Sequence, residues 1–331
     1  MDDYAPPFEI TNLMLERVSS IMKKIGKIDN YNDLNKMPIL RKNNRIKSIH
    51  SSLAIEANSL SFNEVKDVID GKNVFGTQKE IQEVKNAYNA YEMMMDINPY
   101  SINALKKVHG IMMNLIINQS GKFRNTNEGV FDENGKCIHM CPPPEHVNDL
   151  MKKLFKWMKD NKDNIHPIIL SSIFHYEFVF IHPFQDGNGR MARLWQNIIL
   201  SNWEEVFFYI PIESEIMKYQ NEYYLSINNS NASGDSTLFI EFMLKMIDEV
   251  LSKVLMNVSN QINYNDNYIA RLLDVMDFGV LYTTKELMNL LNMKSRVSFR
   301  KNYLLPSIEK DLIKMSLPNS PTSKNQTYYK Q

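Results

Sequence analysis

The sequence lacks a long apolar run, a leader-like start and a cysteine framework. No stretch approaches the roughly eighteen apolar residues of a membrane-spanning helix. The segment Met1–Pro7 has neither the basic nor the apolar part of a secretory signal. Cys137 and Cys141 are the only cysteines, and their spacing suggests neither a disulfide framework nor a zinc site. We therefore expect a cytoplasmic protein with no membrane partner.

The chain also has no net charge and little glycine. Its 38 Lys and Arg balance 38 Asp and Glu, and only 11 of its 331 residues are glycine. A hydrophobic content of 44% is ordinary for a soluble globular protein, and the length suffices for two domains with sizeable cores. Two of the scarce glycines lie in one short segment, which is the most informative part of the chain.

That segment reads His182-Pro-Phe-Gln-Asp-Gly-Asn-Gly-Arg-Met-Ala-Arg193. Gly187 and Gly189 permit positive φ and close backbone approach, so the turn can aim several N–H groups at one point. An apolar helical segment follows, and the N-terminus of a helix attracts anions. Arg190 and Arg193 lie three apart, so both can reach phosphate oxygens. The pattern predicts a polyphosphate site.

Two further side chains of the segment can carry chemistry. Asp186 is a hard oxygen ligand of the kind that Mg²⁺ takes alongside substrate phosphates. His182 can accept a hydroxyl proton near neutral pH. The alternative is a helix N-terminus with a satisfied histidine and a solvated aspartate. The preceding segment, 168–180, is apolar all round, which predicts a buried helix in which His175 is a structural core histidine.

The segment fits the pattern H-x-F-x-D-G-N-G-R-x-x-R and resembles the signature of the Fic family, whose members mostly transfer AMP from ATP to a protein hydroxyl. The resemblance implies that His182 is the base that activates a Ser, Thr or Tyr hydroxyl. It implies that Asp186 holds Mg²⁺ and that Phe184 points into the core. The ATP phosphates would be held by the turn and the two arginines, with Arg193 on the γ-phosphate: Gly187, Asn188, Gly189, Arg190 and Arg193.

A second set of residues lies far upstream, in Ser52-Leu-Ala-Ile-Glu56-Ala-Asn58. Taken alone, it predicts a short apolar helix that ends in a polar turn. Ser61 and Glu64 then form a capping-box pattern for the next helix.

The same segment is similar to the inhibitory motif S/T-x-x-x-E-G-N of one Fic subclass. That resemblance implies that Glu56 pairs with the guanidinium of Arg193 and makes it unavailable to the γ-phosphate, with Ser52 as the first residue of the motif. Ala57 stands where glycine is usual. Because alanine favours negative φ, we expect the turn after Glu56 to differ slightly.

Residues 128–139 carry an Asn134-Gly135 pair between short apolar stretches, which predicts a β-hairpin. The hairpin resembles the flap with which Fic proteins hold their target. A target protein segment would add to it as another strand and bring its hydroxyl near His182. The alternative is a hairpin that only decorates the surface.

Tyr223, Tyr224 and Asn231 lie in a segment that resembles the nucleoside pocket of the same subclass. Aromatic and amide groups can hold an adenine by stacking and by hydrogen bonds to its edge. The loop after Asn231 is longer than usual in that subclass, and paired tyrosines can equally serve core packing.

Most of the chain predicts helix, so the fold class is all-α: a Fic-type helical core with one small β-hairpin flap and a C-terminal winged helix-turn-helix domain. The expected domains are 1–99 with the inhibitory helix, the core at 100–258, a linker at 259–268 and the last domain at 269–331. Apolar periodicity places helices near 9–25, 44–56, 62–70, 79–95, 102–117, 147–160, 167–180, 189–202, 214–228 and 237–257.

The last fifty residues are basic. Nine Lys and Arg stand against three Asp and Glu from Tyr282 onward, a net charge of +6, so residues 1–281 carry −6. Short helices after Thr284 and Ser295, followed by two strands, resemble the winged helix common at the C-terminus of this type of Fic protein. Basic charge on the second helix is typical of DNA binding, although such modules also serve for protein docking or dimerisation.

Three functions are open on this evidence. The first is a protein adenylyltransferase that uses ATP and Mg²⁺, with modification of itself and formation of a homodimer both plausible. The second is a hydrolase that removes AMP from a modified protein, with Glu56 aligning the water. The third is a DNA-binding regulator that senses a nucleotide, which the presence of the base His182 disfavours.

Overall fold

The computed structural model describes residues 4–30, 38–131, 137–262, 267–321 and 323–330. The contacts between residues divide the chain into two units. The larger contains the described residues up to Asn30 and those from Asn44 to Val254; the smaller contains residues 38–43 and the described residues from Leu255 onward. The turn at Asn134-Gly135 lies outside the described residues.

The larger unit is built from helices, as the periodicity predicts. They are α1 (Asn12–Asn30), α2 (Pro38–Ile55), α3 (Phe62–Ile69), α4 (Gln78–Glu92), α5 (Ile102–Met112), α6 (Pro144–Asn161), α7 (Pro167–Ile181), α8 (Asn188–Trp203), α9 (Ile212–Lys218), α10 (Gln220–Ser233) and α11 (Thr237–Ile262), with short 3₁₀ turns at Met94–Asp96 and Glu205–Tyr209. The prediction of an all-α fold is confirmed.

Local chemistry explains several helix ends. Ser61 and Glu64 form the expected capping box at the start of α3, and Thr77 with Glu80 forms a second one at α4. Pro167 starts α7, where its missing N–H costs no helical bond. The single helix expected at 214–228 is two helices, because the backbone of Tyr219 leaves the helical region between them.

The core of the larger unit surrounds α7 and α8, which pack against each other. Nearly every residue of α7 is buried, which explains why it is apolar all round. His175 is fully buried and is the core histidine that the sequence predicts. Its Nδ1 lies 2.6 Å from Gln196 Oε1, and its Nε2 lies 2.9 Å from the Tyr223 hydroxyl.

The expected hairpin is present as an antiparallel pair, β1 (Gly129–Phe131) and β2 (Cys137–Met140). Val130 pairs with His139, and a bulge follows Val130. The His139 ring anchors the hairpin to α7, since its Nε2 lies 2.8 Å from the carbonyl oxygen of Phe180 at the end of that helix.

The smaller unit combines short helices with a sheet. Its elements are α12 (Asn267–Asp274), β3 (Tyr282–Thr283), α13 (Thr284–Leu290), α14 (Arg296–Phe299), a π-helical turn (Arg300–Leu304), α15 (Leu305–Glu309), β4 (Ile313–Met315) and β5 (Thr327–Lys330). The sheet is antiparallel with the order β3-β5-β4. Phe299, Leu272 and Ile313 are fully buried and belong to a separate core. The winged-helix interpretation stays a prediction.

The polar segment expected to be a linker, 259–268, lies only partly within the described residues, and its role as a linker stays a prediction. Helix α11 continues to Ile262, α12 begins at Asn267, and residues 263–266 lie outside the described residues. Polarity alone does not end a helix, since Asn and Gln disfavour it only weakly. In the described part of the chain, no helix is both long and apolar enough to cross a bilayer.

Candidate active site

The His182–Arg193 segment forms a tight loop between the two most buried helices. Helix α7 ends at Ile181, and His182 adopts the left-handed conformation with φ of 52° as its cap. Gly187 has φ of 81° and precedes the first residue of α8. No side chain caps α8. Its first N–H groups therefore face the loop without a side-chain acceptor, as an anion site requires.

Buried side chains brace this loop from within. Asn188 Oδ1 accepts a hydrogen bond from the Phe184 N–H at 2.9 Å, and its Nδ2 donates to the Phe184 carbonyl at 2.8 Å. The Phe184 ring is fully buried, as the resemblance implies, and stacks on His109 with 3.6 Å between ring centroids. His109 also contacts the Asp186 carbonyl at 3.0 Å. Burial lowers the pKa of His109 to about 4, so a neutral imidazole holds the loop.

His182 is half-buried on the loop. Its Nδ1 lies 3.4 Å from the Val179 carbonyl, so Nδ1 is the nitrogen that carries the proton and Nε2 is left as the acceptor. Burial lowers the pKa of His182, and the nearby positive charge of Arg124 lowers it further. The side chain is therefore a neutral imidazole at physiological pH.

Arg124 is the residue that fixes His182 in place. Its Nε donates to the His182 carbonyl at 2.7 Å, and its backbone N–H donates to the Pro183 carbonyl at 2.9 Å. Its Nη2 donates to the Pro142 carbonyl at 2.5 Å, at the base of the hairpin. This buried guanidinium ties the loop to the hairpin through backbone oxygens. Its position in the chain carries no motif, and sequence reasoning missed it.

Glu56, Ser52 and Arg193 come together as the upstream motif implies. Arg193 Nη2 lies 2.8 Å from Glu56 Oε1 and 3.0 Å from the Ser52 carbonyl, while its Nε donates to Ser52 Oγ at 3.1 Å. The arginine is fully buried and Glu56 is half-buried. Burial opposes the charge on Arg193, but Glu56 and the nearby Tyr223 hydroxyl outweigh it, so its pKa is raised.

Two small residues permit this contact. A Cβ on Gly189 would collide with the Glu56 carboxylate and lie 3.2 Å from Arg193 Nη1. Ala57 adopts φ of 64°. Alanine takes this left-handed conformation at a cost of about 1–2 kcal/mol. That the turn differs from the glycine-containing one stays a prediction.

A second set of contacts joins the turn after α2 to the His182–Arg193 segment by way of Glu83 on α4. Arg190 Nη1 lies 3.0 Å from Glu83 Oε1 on α4, and Nη2 lies 3.2 Å from Asp186 Oδ1. The other Glu83 oxygen accepts a hydrogen bond from Asn58 Nδ2 at 2.9 Å. Arg190 is buried, and its Nε has no hydrogen-bond partner among the described residues. Both arginines of the motif thus contact the N-terminal helices.

A buried polar network lies behind Arg193. Tyr91 donates to Glu213 Oε1 at 2.6 Å, and Asn197 donates to the same oxygen at 2.5 Å. Tyr91 also interacts with the Ser52 hydroxyl. Burial raises the pKa of Glu213. The network leads from Glu213 through Tyr91 and Ser52 to Arg193 and fixes the arginine from the core side.

The three residues predicted to contact the nucleoside differ in their burial and in their contacts. Tyr223 is only 2% exposed and packs on His175, so its ring would act on a ligand only through its neighbours. Tyr224 is 43% exposed, and its hydroxyl lies 3.5 Å from the Ile55 carbonyl, beside the turn that carries Glu56. Asn231 Oδ1 accepts a hydrogen bond from the Tyr176 hydroxyl at 2.9 Å.

Asp186 fits the metal role in its donor chemistry. Its side chain is 43% exposed, and Oδ1 accepts hydrogen bonds from Gly187 N–H and Arg190. No cluster of three or more potential metal ligands occurs among the residues that the structure describes. Mg²⁺ typically uses one or two carboxylates together with substrate phosphates, and a single exposed carboxylate beside an uncapped helix matches that pattern.

Comparison with known proteins agrees with this geometry. Residues 99–200 match the family model "Fic/DOC family", and residues 267–329 match "Filamentation induced by cAMP protein Fic-like, C-terminal domain". A crystal structure of a Fic family protein from Desulfovibrio desulfuricans G20 is 37% identical with a TM-score of 0.74, and the match covers 99% of this chain and 98% of that one. The chain belongs to the Fic family.

More distant Fic proteins share part of the chain. The protein adenylyltransferase Fic of Nematostella vectensis is 28% identical over 62% of this chain and 48% of its own length. Protein adenylyltransferase fic-1 of Caenorhabditis elegans is 27% identical over 60% of this chain and 38% of its own length. The chain thus spans about half or less of these relatives. A structure of C. elegans Fic-1, 22% identical with a TM-score of 0.60, shows the shared fold.

Sequence reasoning missed the residues that support the site from outside its motifs. Glu83, His109, Arg124 and Glu213 are all buried although polar or charged. Such residues are rarely buried without a partner. A single sequence does not show which of its many charged residues are buried, so these four could not be recognised.

Proposed function

We propose that this Fic protein is a protein adenylyltransferase that transfers AMP from ATP to a hydroxyl of a target protein or of itself. The observation that carries the proposal is the loop geometry: a neutral His182 with an available Nε2 precedes an uncapped helix N-terminus that contains Arg190 and Arg193. Its relatives bear the name protein adenylyltransferase, which supports the same activity.

In the proposed reaction, the target hydroxyl oxygen forms a bond to the α-phosphorus of ATP. The bond from that phosphorus to the bridging oxygen breaks, and pyrophosphate leaves. The hydroxyl proton moves to Nε2 of His182, while Nδ1 stays on the Val179 carbonyl. The N–H groups at the start of α8 and the two arginines stabilise the phosphate charge. Mg²⁺ held by Asp186 would neutralise part of that charge.

We further propose that Glu56 inhibits the enzyme by occupying Arg193. The carboxylate lies where Arg193 would otherwise meet a γ-phosphate oxygen, and the collision predicted for a Cβ on Gly189 shows how closely Glu56 approaches α8. A carboxylate and a phosphate are competing ligands for one guanidinium. Release of Glu56 would free the arginine without moving it, because Ser52 holds it from the other side.

We also propose that the hairpin holds the target segment. The strand β2 carries His139, which contacts the end of α7 immediately before His182. A target strand added to this hairpin would bring its hydroxyl alongside the base through main-chain hydrogen bonds, with little sequence preference. Tyr224 and Asn231 would face the nucleoside, whereas Tyr223 would support Arg193 from the core.

The test compares wild type, Glu56→Gln and the double variant Glu56→Gln/His182→Ala with α-³²P-ATP and Mg²⁺, scored for label on protein. Glu16→Gln, at an exposed position of α1, is the matched control. We expect label to rise about ten-fold or more in Glu56→Gln, because a charge-assisted contact contributes about 1.5–3 kcal/mol. It should vanish in the double variant and stay at the wild-type level in the control. No label in any variant, with cell lysate added as target, would contradict the transfer reaction.

A further inference from the structure

The smaller unit contains a cleft that the proposed transfer reaction does not use. It has a volume of about 710 Å³ and lies between α13, the segment from Arg296 to Leu304, and residues 321 and 323–328. We call it the C-terminal cleft. This volume is in the range of a site for an organic ligand or for part of a polymer.

Cations without counter-ions line this cleft. Lys285, Arg296, Arg300 and Lys324 are exposed and line it, and no acidic residue does. In the described parts of the chain, none of these four side chains belongs to an ion pair. Arg296 and Arg300 are one helical turn apart, so both guanidinium groups can contact the same anionic polymer. A surface of this kind favours a polyanion.

One buried residue that lines the cleft has an acceptor without a hydrogen-bond donor. Gln326 lines the cleft and is only 6% exposed. Its Nε2 donates to the Thr327 carbonyl at 2.6 Å, but its Oε1 has no partner among the described residues. A buried acceptor without a partner is unfavourable, so a ligand that donates a hydrogen bond to it would bind more tightly.

We propose that the C-terminal cleft binds single-stranded nucleic acid. The phosphodiester groups would contact the four cations, and the exocyclic amino group of an unpaired base would donate to Gln326 Oε1. Nucleic acid carries a phosphodiester in each nucleotide and an exocyclic amino group on adenine, cytosine and guanine, whereas Asp and Glu side chains of an acidic peptide offer only charge and acceptors. A base must leave its duplex to reach a side chain buried to this extent, which favours a single strand.

The walls of the cleft suit such a strand in other respects. Thr284, Asn289 and Ser323 offer the hydroxyl and amide groups that often contact phosphate and sugar oxygens. Met288 and Leu304 supply apolar surface for sugar and base. If all four cations contact phosphate, the logarithm of the binding constant should fall with the logarithm of salt concentration with a slope of about −3.

The test uses the full chain and fluorescence anisotropy with labelled oligonucleotides. Dodecamers of deoxycytidine and deoxyzebularine differ only in the exocyclic amino group, which the zebularine base lacks, so tighter binding of the cytidine strand reports the contact with Gln326. Gln326→Met removes the acceptor and should abolish that difference. If the Gln326→Met protein does not fold, the comparison of the two strands on the wild-type protein is the decisive measurement.

Charge variants test the cations. Arg296→Gln/Arg300→Gln should weaken binding at least ten-fold and make the salt slope less steep by about 1.4. Lys301→Gln is the matched control, because Lys301 is exposed on the same helical segment but does not line the cleft. The His182→Ala protein and saturating ATP should leave binding unchanged, which separates this site from the proposed active site.

Three results would overturn the proposal. They are no binding at low salt, equal loss of affinity in Lys301→Gln and in the double arginine variant, and binding of a duplex or of polyglutamate as tightly as of the cytidine strand. A ribose version of the same strands shows whether RNA or DNA binds more tightly. Either polymer binding through these residues supports the proposal.

Discussion

Arg193 and Glu56, 137 positions apart in the chain, form an ion pair with 2.8 Å between Nη2 and Oε1. The arginine belongs to the motif on α8 and the glutamate to the turn that follows α2. Ser52 holds the same guanidinium through its hydroxyl and carbonyl oxygens. The upstream motif therefore has two parts: Ser52 holds Arg193 through its hydroxyl and carbonyl oxygens, and Glu56 pairs with the guanidinium through its carboxylate.

The conformation of Ala57 predicts how tightly the turn holds Glu56. Replacing Ala57 by glycine removes left-handed strain of about 1–2 kcal/mol, part of which is offset by the greater freedom of glycine in the unfolded chain. We expect Ala57→Gly to raise Tm slightly and to lower self-labelling with ATP. Ala57→Val, which adds a branched Cβ at positive φ, should lower Tm and raise labelling. Parallel melting curves and labelling rates check both, and labelling that rises in Ala57→Gly would contradict the account.

The environment of His182 predicts the acid side of the pH profile. Its pKa lies below the ordinary value of 6.5, so the neutral form persists as pH falls below that value. The rate of AMP transfer should decline only below pH 6.5. Arg124→Met removes a positive charge that lowers this pKa, so the decline should move to higher pH, while Arg124→Lys should keep it near the wild-type position. Rates of the Glu56→Gln background measured across pH provide the test, and a profile unchanged in Arg124→Met would refute it.

Two buried histidines predict how stability depends on pH. Burial lowers the pKa of His109 to about 4 and that of His175 to about 3, whereas the unfolded chain titrates near 6.5. Below 6.5 the unfolded chain therefore binds protons that the folded chain does not, so the free energy of unfolding decreases as pH falls. The contribution of each histidine should drop by about 2 kcal/mol between pH 7 and pH 5. Urea unfolding at both values measures it, and His109→Gln should show a smaller drop than wild type.

The ion pair between Glu83 and Arg190 predicts how much the contact between α4 and the loop contributes to the stability of the protein. Glu83→Gln would leave Arg190 buried without a counter-ion on that side, and breaking a buried pair costs about 3–5 kcal/mol. Glu222→Gln is the control, because the side chains of its pair with Lys245 are 52% and 36% exposed. An exposed pair contributes about 0–1 kcal/mol, so the control should melt close to wild type. Equal Tm values for both variants would contradict the importance of the Glu83 link.

The sequence by itself determined the features that depend on local chemistry. The capping box of Ser61 and Glu64, the apolar pattern of α7 and the glycines around Asn188 all act over a few residues, so they can be read without a fold. The resemblance of the His182–Arg193 segment placed the family for the same reason. The position of Glu56 opposite Arg193 followed only from that resemblance.

Tertiary structure alone decided which polar residues are buried and what they contact. Arg124 bonds to backbone oxygens of the loop and hairpin, Glu83 joins Asn58 to Arg190, and Ala57 accepts positive φ because its surroundings hold it there. Each arrangement depends on segments far apart in the chain, which the packing of the helices brings together. A residue's type sets what it can bond to, but burial sets how much each bond contributes, and burial is a property of the whole fold.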